Sequence, residues 1–203
     1  MRRALAHVLW IGGGTDAGKT TVARILADRY RLQMYHMDRR EADLYARVDP
    51  ARHLFMTAFW AMTLDERWVL HTPKEMADHT LGTARERMEM TIDDLLALPR
   101  TPPILAEGAW FFPEYVAPLI SSPQQAIWLV PTEEFKRASA ARRNKPSIRF
   151  ETSDPERATS NWFARDMLLS DHARRNAEAL GLTIIEVDGA RSTDGMAHLL
   201  EQH

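Results

Sequence analysis

Cysteine is absent from the 203-residue chain, which excludes disulfides and thiolate metal sites and fits a reducing compartment. Charge of one sign is not in excess: 26 basic and 28 acidic residues leave a formal net charge of −2, so nothing global calls for nucleic acid or membrane as a partner. No run approaches the roughly 18 uninterrupted apolar residues that span a bilayer. There is no internal repeat, low-complexity tract or Gly/Ser linker, and a 45% hydrophobic chain of this length suits one domain over residues 1–203, monomeric or homodimeric. The start, MRRALAHVLWIGGG, superficially imitates a signal peptide. His7 interrupts the apolar run, and cleavage near Gly12–Gly14 would remove a strand needed below, so a buried strand in a cytoplasmic protein is expected.

What is present is patterned. Five short, nearly continuous apolar runs, at 7–13, 32–38, 103–108, 125–131 and 182–189, read as strands covered on both faces. Between them lie helical periodicities. Residues 18–30 place Val22, Ile25 and Leu26 on one face, and 74–98 carry Ala77, Leu81, Ala84, Met88, Ile92 and Leu95 at spacings of three and four. Asp154–Pro155 caps a helix that should run toward Leu180 and stop at Gly181. Strand and helix alternate throughout, which predicts an α/β domain built on a parallel sheet of five strands with right-handed crossovers. About sixty residues separate the second and third runs, more than one crossover helix requires, so a helical insertion is expected there.

Glycine is scarce, nine in all, yet four of the nine fall within WIGGGTDAGKTT, Trp10–Thr21. Gly13–Thr20 satisfies G-x-x-x-x-G-K-[ST] at every fixed position, between an apolar run and a helix. In that pattern the backbone N–H groups of Gly13, Gly14, Thr15, Asp16, Ala17, Gly18 and the residues after them turn inward on phosphate oxygens. Lys19 adds a cation, Thr20 a hydroxyl ligand for Mg²⁺, and the helix opening at Lys19–Thr21 its positive dipole end. Nucleotide binding follows from the spacing; turnover does not.

On these residues the chain resembles the P-loop kinases of small molecules, the group that includes nucleoside, nucleotide, shikimate and gluconate kinases. The resemblance implies a three-layer αβα fold with a helical acceptor-binding insertion (39–98) and a lid (about 142–155), ATP and Mg²⁺ as cofactors, and a small-molecule acceptor. It further implies a carboxylate at the end of the second strand that contacts the acceptor hydroxyl, one at the end of the third that organises magnesium, and lid arginines that grip phosphate. Asp38, in YHMDRR, and Glu107, in ILAEGAW, occupy those strand ends. Asp38 is assigned the acceptor proton; Glu107 fits either a magnesium-bound water or that proton, and the residues leave both open. His36 is read as a sheet-face histidine, and the aromatic run Trp110–Phe112 as pocket wall or core.

The segment Phe135–Phe150 has six basic residues and no acidic one. Arg142 and Arg143 at its helix end suit the phosphates or the adenine ring, the alternative being a complement to the helix dipole. Arg165, at the edge of the face bearing Trp162 and Leu169, either reaches the site or pairs with an adjacent carboxylate. Two decoys fall away. The loop lacks the extra residues of dethiobiotin synthetase, and NKPS lacks the aspartate of the guanine-reading NKxD motif.

Residues 41–94 hold eleven acidic against six basic residues, and GAWFFPEY after the third strand has no arginine. That departs from nucleoside monophosphate kinases and favours an acceptor with a hydroxyl and no phosphate, although Arg39, Arg40, Arg47, Arg52, Arg85 and Arg87 are available for an acceptor phosphate. The expected activity is therefore ATP-dependent phosphoryl transfer to a small-molecule hydroxyl, with catalytic residues Lys19, Asp38, Glu107, Arg142 and Arg165. The rivals are a nucleoside monophosphate kinase and a non-catalytic, ATP-dependent binding or regulatory module.

Overall fold

A computed structural model describes residues 1–143 and 148–203. The five apolar runs form strands β1 (Val8–Gly13), β2 (Gln33–His36), β3 (Ile104–Glu107), β4 (Ala126–Pro131) and β5 (Thr183–Val187). All pair in parallel, in the order β2-β3-β1-β4-β5. Every residue of β3 and β4 is buried, which is why these runs show no polar alternation. Among the described residues eight α-helices accompany the sheet: α1 (Lys19–Tyr30), α2 (Glu41–Tyr45), α3 (Leu54–Ala61), α4 (Pro73–Ala97), α5 (Pro113–Val116), α6 (Glu133–Arg143), α7 (Pro155–Ala179) and α8 (Thr193–Glu201).

The two long helices carry their own start signals. Thr72 and Glu75 close a capping box ahead of α4, with Pro73 in its first turn. At α7, Asp154 accepts from Arg157 N and Pro155 follows it; the chain then leaves through Gly181 at φ 64°.

Alternation along the strands divides the core into two layers. Trp10, Tyr35, Ala106 and Trp128 face α4, α5 and α7, packing with Leu95, Phe111, Val116 and Ala177. Ile11, Leu105, Ile127 and Leu129 face α1 and α8, packing with Val22, Ala23, Leu26, Met196 and Ala197. Full burial of one large apolar side chain contributes about 1.5–3 kcal/mol, so the two layers anchor the central strands on both sides. Trp128 Nε1 donates to Phe111 O at 2.8 Å. Gly12 lies against that bond, and a Cβ there would stand 2.4 Å from both atoms.

The chain between β2 and β3 runs through a 3-10 turn (Met37–Arg40), α2, α3, a π-helical turn (Glu66–Leu70) and α4. The second strand ends at His36 and not at Asp38: the 3-10 turn lifts Asp38 beyond the sheet edge, where it is exposed while Met37 is buried. Among the described residues no helix is long and apolar enough to cross a membrane.

Candidate active site

β1 is the central strand, and its C-terminal end opens into the glycine-rich loop that leads to α1. Gly14 N donates to Leu129 O at 2.9 Å, tying the loop to β4. Gly13 at φ 113°, Asp16 at φ 65° and Gly18 at φ 80° supply the left-handed turns that fold the loop back over the helix start. Gly18 is the N-cap of α1, so Lys19 and Thr20 occupy its first turn. This is a three-layer αβα fold with a P-loop between its central strand and first helix.

Within the P-loop, Lys19 is buried and its Nζ donates to Gly14 O at 2.6 Å, so the ammonium is held inside the ring it would share with phosphate. Burial lowers the Lys19 pKa, opposed by the charges of Asp38 and Glu107. Thr20 Oγ1 donates to Glu107 Oε1 at 3.0 Å. A cavity of about 230 Å³ lies over the loop, lined by Thr15, Asp16, Gly18, Lys19, Thr20, Thr21, Asp38, Ala109 and Trp162.

The expected carboxylates meet here. Asp38 Oδ1 accepts from Ala109 N at 3.3 Å, which fixes the side chain against the turn after β3. Glu107 is fully buried, and burial pushes its pKa up against the pull of Lys19. His36 is the register partner of Glu107 across the β2–β3 ladder, and its Nδ1 stands 2.8 Å from Glu107 Oε1. The contact is close without hydrogen-bond alignment, for His36 Nδ1 has no hydrogen-bond partner among the described residues. Burial lowers the His36 pKa, so the ring is neutral at pH 7. The sheet-face reading of His36 is correct for its strand but misses its contact with the site.

A second charge cluster supports the P-loop from the side of α6 and α7. Lys136 Nζ, fully buried, donates to Thr15 Oγ1 at 2.5 Å and Asp166 Oδ2 at 2.9 Å, with Asp16 Oδ2 at 3.3 Å. Arg165 donates to Asp166 Oδ1 through Nε at 3.0 Å and an Nη at 2.6 Å. Burial alone would raise the Asp166 pKa, but Arg165 and Lys136 outweigh it and hold the carboxyl below its ordinary value. Of the two roles weighed for Arg165, the pair with an adjacent carboxylate is present, and the same side chain also lines the cleft described next.

From the P-loop cavity a series of adjoining cavities runs outward through shared lining residues. Asp38, Thr15 and Ala109 also line a space of about 170 Å³ with Glu41, Arg87 and Trp110. Glu41, Arg87 and Trp110 in turn line one of about 290 Å³ with Phe59, Trp60, Arg67, Trp68 and Arg165. The outermost, about 460 Å³, shares Phe59, Arg67, Trp68 and Arg165 and adds Phe55, His71 and His79. Arg87 is buried and donates to Glu41 Oε1 at 3.0 Å. The Arg67 guanidinium stands over Phe59 and Trp60, 4.8 and 5.1 Å from their ring centres. Arg67 Nε, Arg87 Nε, Trp60 Nε1 and Trp68 Nε1 are buried donors with no partner among the described residues.

Other expected residues lie elsewhere. Arg142 is exposed beside Phe135, 5.8 Å from its ring centre, and does not line the P-loop cavity. The side chain of Arg143 and residues 144–147, the middle of the expected lid with its NKPS stretch, lie outside the described residues. Arg149, beyond them, stands 3.9 Å above the ring of Trp162. Phe111 and Phe112 belong to the core, whereas Trp110 walls the cleft. Sequence reasoning missed Arg67, Lys136 and Asp166. The adjacency of Asp166 to Arg165 was a usable signal; the other two are gathered only by tertiary packing.

The chain is similar to shikimate kinase from Acinetobacter baumannii in complex with shikimate, at 16% identity over 100% of this chain and 96% of that one, with a TM-score of 0.49. It is also similar to shikimate kinase from Bacteroides thetaiotaomicron, at 10% identity over 96% and 94% of the two chains, with a TM-score of 0.46. A third likeness is to NadR protein in complex with NR, at 13% identity over 98% of this chain and 51% of that one, with a TM-score of 0.41. No protein-family model and no curated protein matches the sequence.

Proposed function

We propose that the protein is an ATP- and Mg²⁺-dependent phosphotransferase that moves the γ-phosphoryl group to a hydroxyl of a small molecule. The observation that carries this reading is the position of Asp38, whose side chain lines both the P-loop cavity and the space that leads into the cleft. A carboxylate at that junction is where a base for an incoming hydroxyl is needed.

The P-loop amides and Lys19 bind the phosphates and stabilise charge on the transferring group. Thr20 and Glu107 offer hard oxygen donors, and their contact at 3.0 Å fits a shared Mg²⁺ site. When bound there, Mg²⁺ neutralises phosphate charge. Asp38 accepts the hydroxyl proton. Residues 39–98 hold the acceptor in the cleft, with ring faces from Trp60, Trp68 and Trp110.

Arg67, Arg87 and Arg165 in the cleft favour a second reading that the missing arginine after β3 had argued against. Three guanidinium groups around one cavity suit an acceptor that carries an anionic group, a nucleoside monophosphate among them.

A coupled ADP-release assay across paired nucleosides, nucleoside monophosphates, sugars and aromatic natural products tests both readings. The first expects turnover with a non-phosphorylated acceptor, and Asp38→Asn lowers it about 10²–10⁴-fold with nucleotide affinity unchanged. The second expects turnover with a monophosphate and none with its nucleoside. If no acceptor raises ADP release while ATP still binds, the protein is a nucleotide-dependent binding module and both readings fail.

A further inference from the structure

We propose that His36, Asp38 and Glu107 form a divalent-cation site with an imidazole nitrogen ligand, which takes Mn²⁺ or another borderline first-row ion in preference to Mg²⁺. This deepens the preceding reading, with which it shares Glu107 of the metal site and Asp38, whose one carboxylate oxygen would ligate while the other stays available to the acceptor proton.

The three side chains converge because β2 and β3 are register neighbours, His36 opposite Glu107, while the 3-10 turn after β2 carries Asp38 back over the strand ends. One ligand atom from each lies within 4.8 Å of the other two. Ligands sharing one ion at bonds of about 2.1 Å stand roughly 3–4.2 Å apart, so small side-chain rotations close the site.

Two buried atoms favour a cation here. Glu107 is fully buried, yet its Oε2 has no hydrogen-bond partner among the described residues, and a buried anionic oxygen left unpaired is costly. His36 Nδ1, 2.8 Å from Glu107 Oε1, is likewise unpartnered, so the ring is brought to the carboxylate without bonding it. The nearby ammonium of Lys19 donates to Gly14 O instead. A cation between the imidazole and the two carboxylates would satisfy both atoms at once. Oxygen ligands alone suit Mg²⁺, whereas an imidazole nitrogen shifts preference toward Mn²⁺, Co²⁺ or Zn²⁺.

The test uses the full chain without nucleotide and Mn²⁺ alone as probe. Electron paramagnetic resonance counts bound Mn²⁺, its pulsed form detects coupling to imidazole nitrogen, and Mg²⁺ competes for the site. Wild type is expected to bind Mn²⁺, to show the nitrogen coupling, and to release the ion only to a large excess of Mg²⁺. His36→Asn is expected to lose the coupling and at least about tenfold in Mn²⁺ affinity, with Mg²⁺ affinity little changed. Wild type that binds no Mn²⁺ at millimolar concentration, or binds it without nitrogen coupling, overturns the proposal. Should His36→Asn fail to fold by circular dichroism, the wild-type coupling decides alone. Failure of the acceptor assay leaves every one of these readouts standing, so the two readings fail separately.

Discussion

Lys136 and Asp166 meet at 2.9 Å with both side chains buried, and the same carboxylate takes two hydrogen bonds from Arg165. Removing one partner of a buried ion pair costs about 3–5 kcal/mol, because the remaining charge is left without compensation. Lys136→Met leaves Asp166 with Arg165 and should destabilise by roughly 3 kcal/mol. Asp166→Asn leaves two buried cations and should approach about 5 kcal/mol. Urea unfolding of both variants checks the order; equal, small losses would mean that water replaces the missing partners.

Lys19 is the buried cation inside the P-loop. Lys19→Ala should weaken ATP-analogue binding about 10–100-fold, the worth of one charge-assisted hydrogen bond, read by calorimetry. Stability should not fall with it, since the variant also removes a desolvated ammonium. An unchanged dissociation constant would place the phosphates elsewhere.

Acid should expose the cost of burying His79. Its pKa is lowered from 6.5, by burial first and the neighbouring His71 next, with Glu86 opposing. Below pH 6.5 the unfolded chain binds a proton that the folded ring resists, so stability is lost as pH falls from there through the lowered folded value. His79→Phe keeps an aromatic ring beside Phe55 and Phe59 and removes that contribution. Wild type should lose stability relative to the variant as pH falls below 6.5 in parallel urea titrations, and parallel profiles would refute the assignment.

Two glycines of the P-loop region should fail for different reasons. At Gly12 an added methyl would meet Phe111 O and Trp128 Nε1 at 2.4 Å, so Gly12→Ala should cost about 1–3 kcal/mol through overpacking. At Gly18 nothing stands within 4 Å, but φ is 80°, so Gly18→Ala should cost about 1–2 kcal/mol through backbone conformation alone. Thermal unfolding measures both, and Trp128 fluorescence should shift only in Gly12→Ala.

Local pattern made the fold legible. Continuous apolar runs marked β3 and β4, and the Asp154–Pro155 and Gly181 signals framed α7, because these features act within a few residues of one another. GGTDAGKT was legible for the same reason, its chemistry being carried by consecutive backbone groups. Asp38 and Glu107 were found from strand ends, since the C-terminal edge of a parallel sheet is a fixed place. The rest depends on long-range packing. Lys136 lies 30 residues from Asp166 and 121 from Thr15, and no sequence window spans such a network. Arg67 gained its place because a π-helical turn aims it at the rings of Phe59 and Trp60, a local geometry that hydrophobic periodicity does not report.

Six tryptophans are spread unequally over the molecule. Trp10 and Trp128 are sealed in the sheet core, whereas Trp60, Trp68 and Trp110 wall the cleft and Trp162 faces the P-loop. The protein therefore carries its own optical reporters at both ends of the proposed reaction path, with two silent internal standards. Quenching assigned by single Trp→Phe replacements would time the arrival of nucleotide separately from that of the acceptor, without any label.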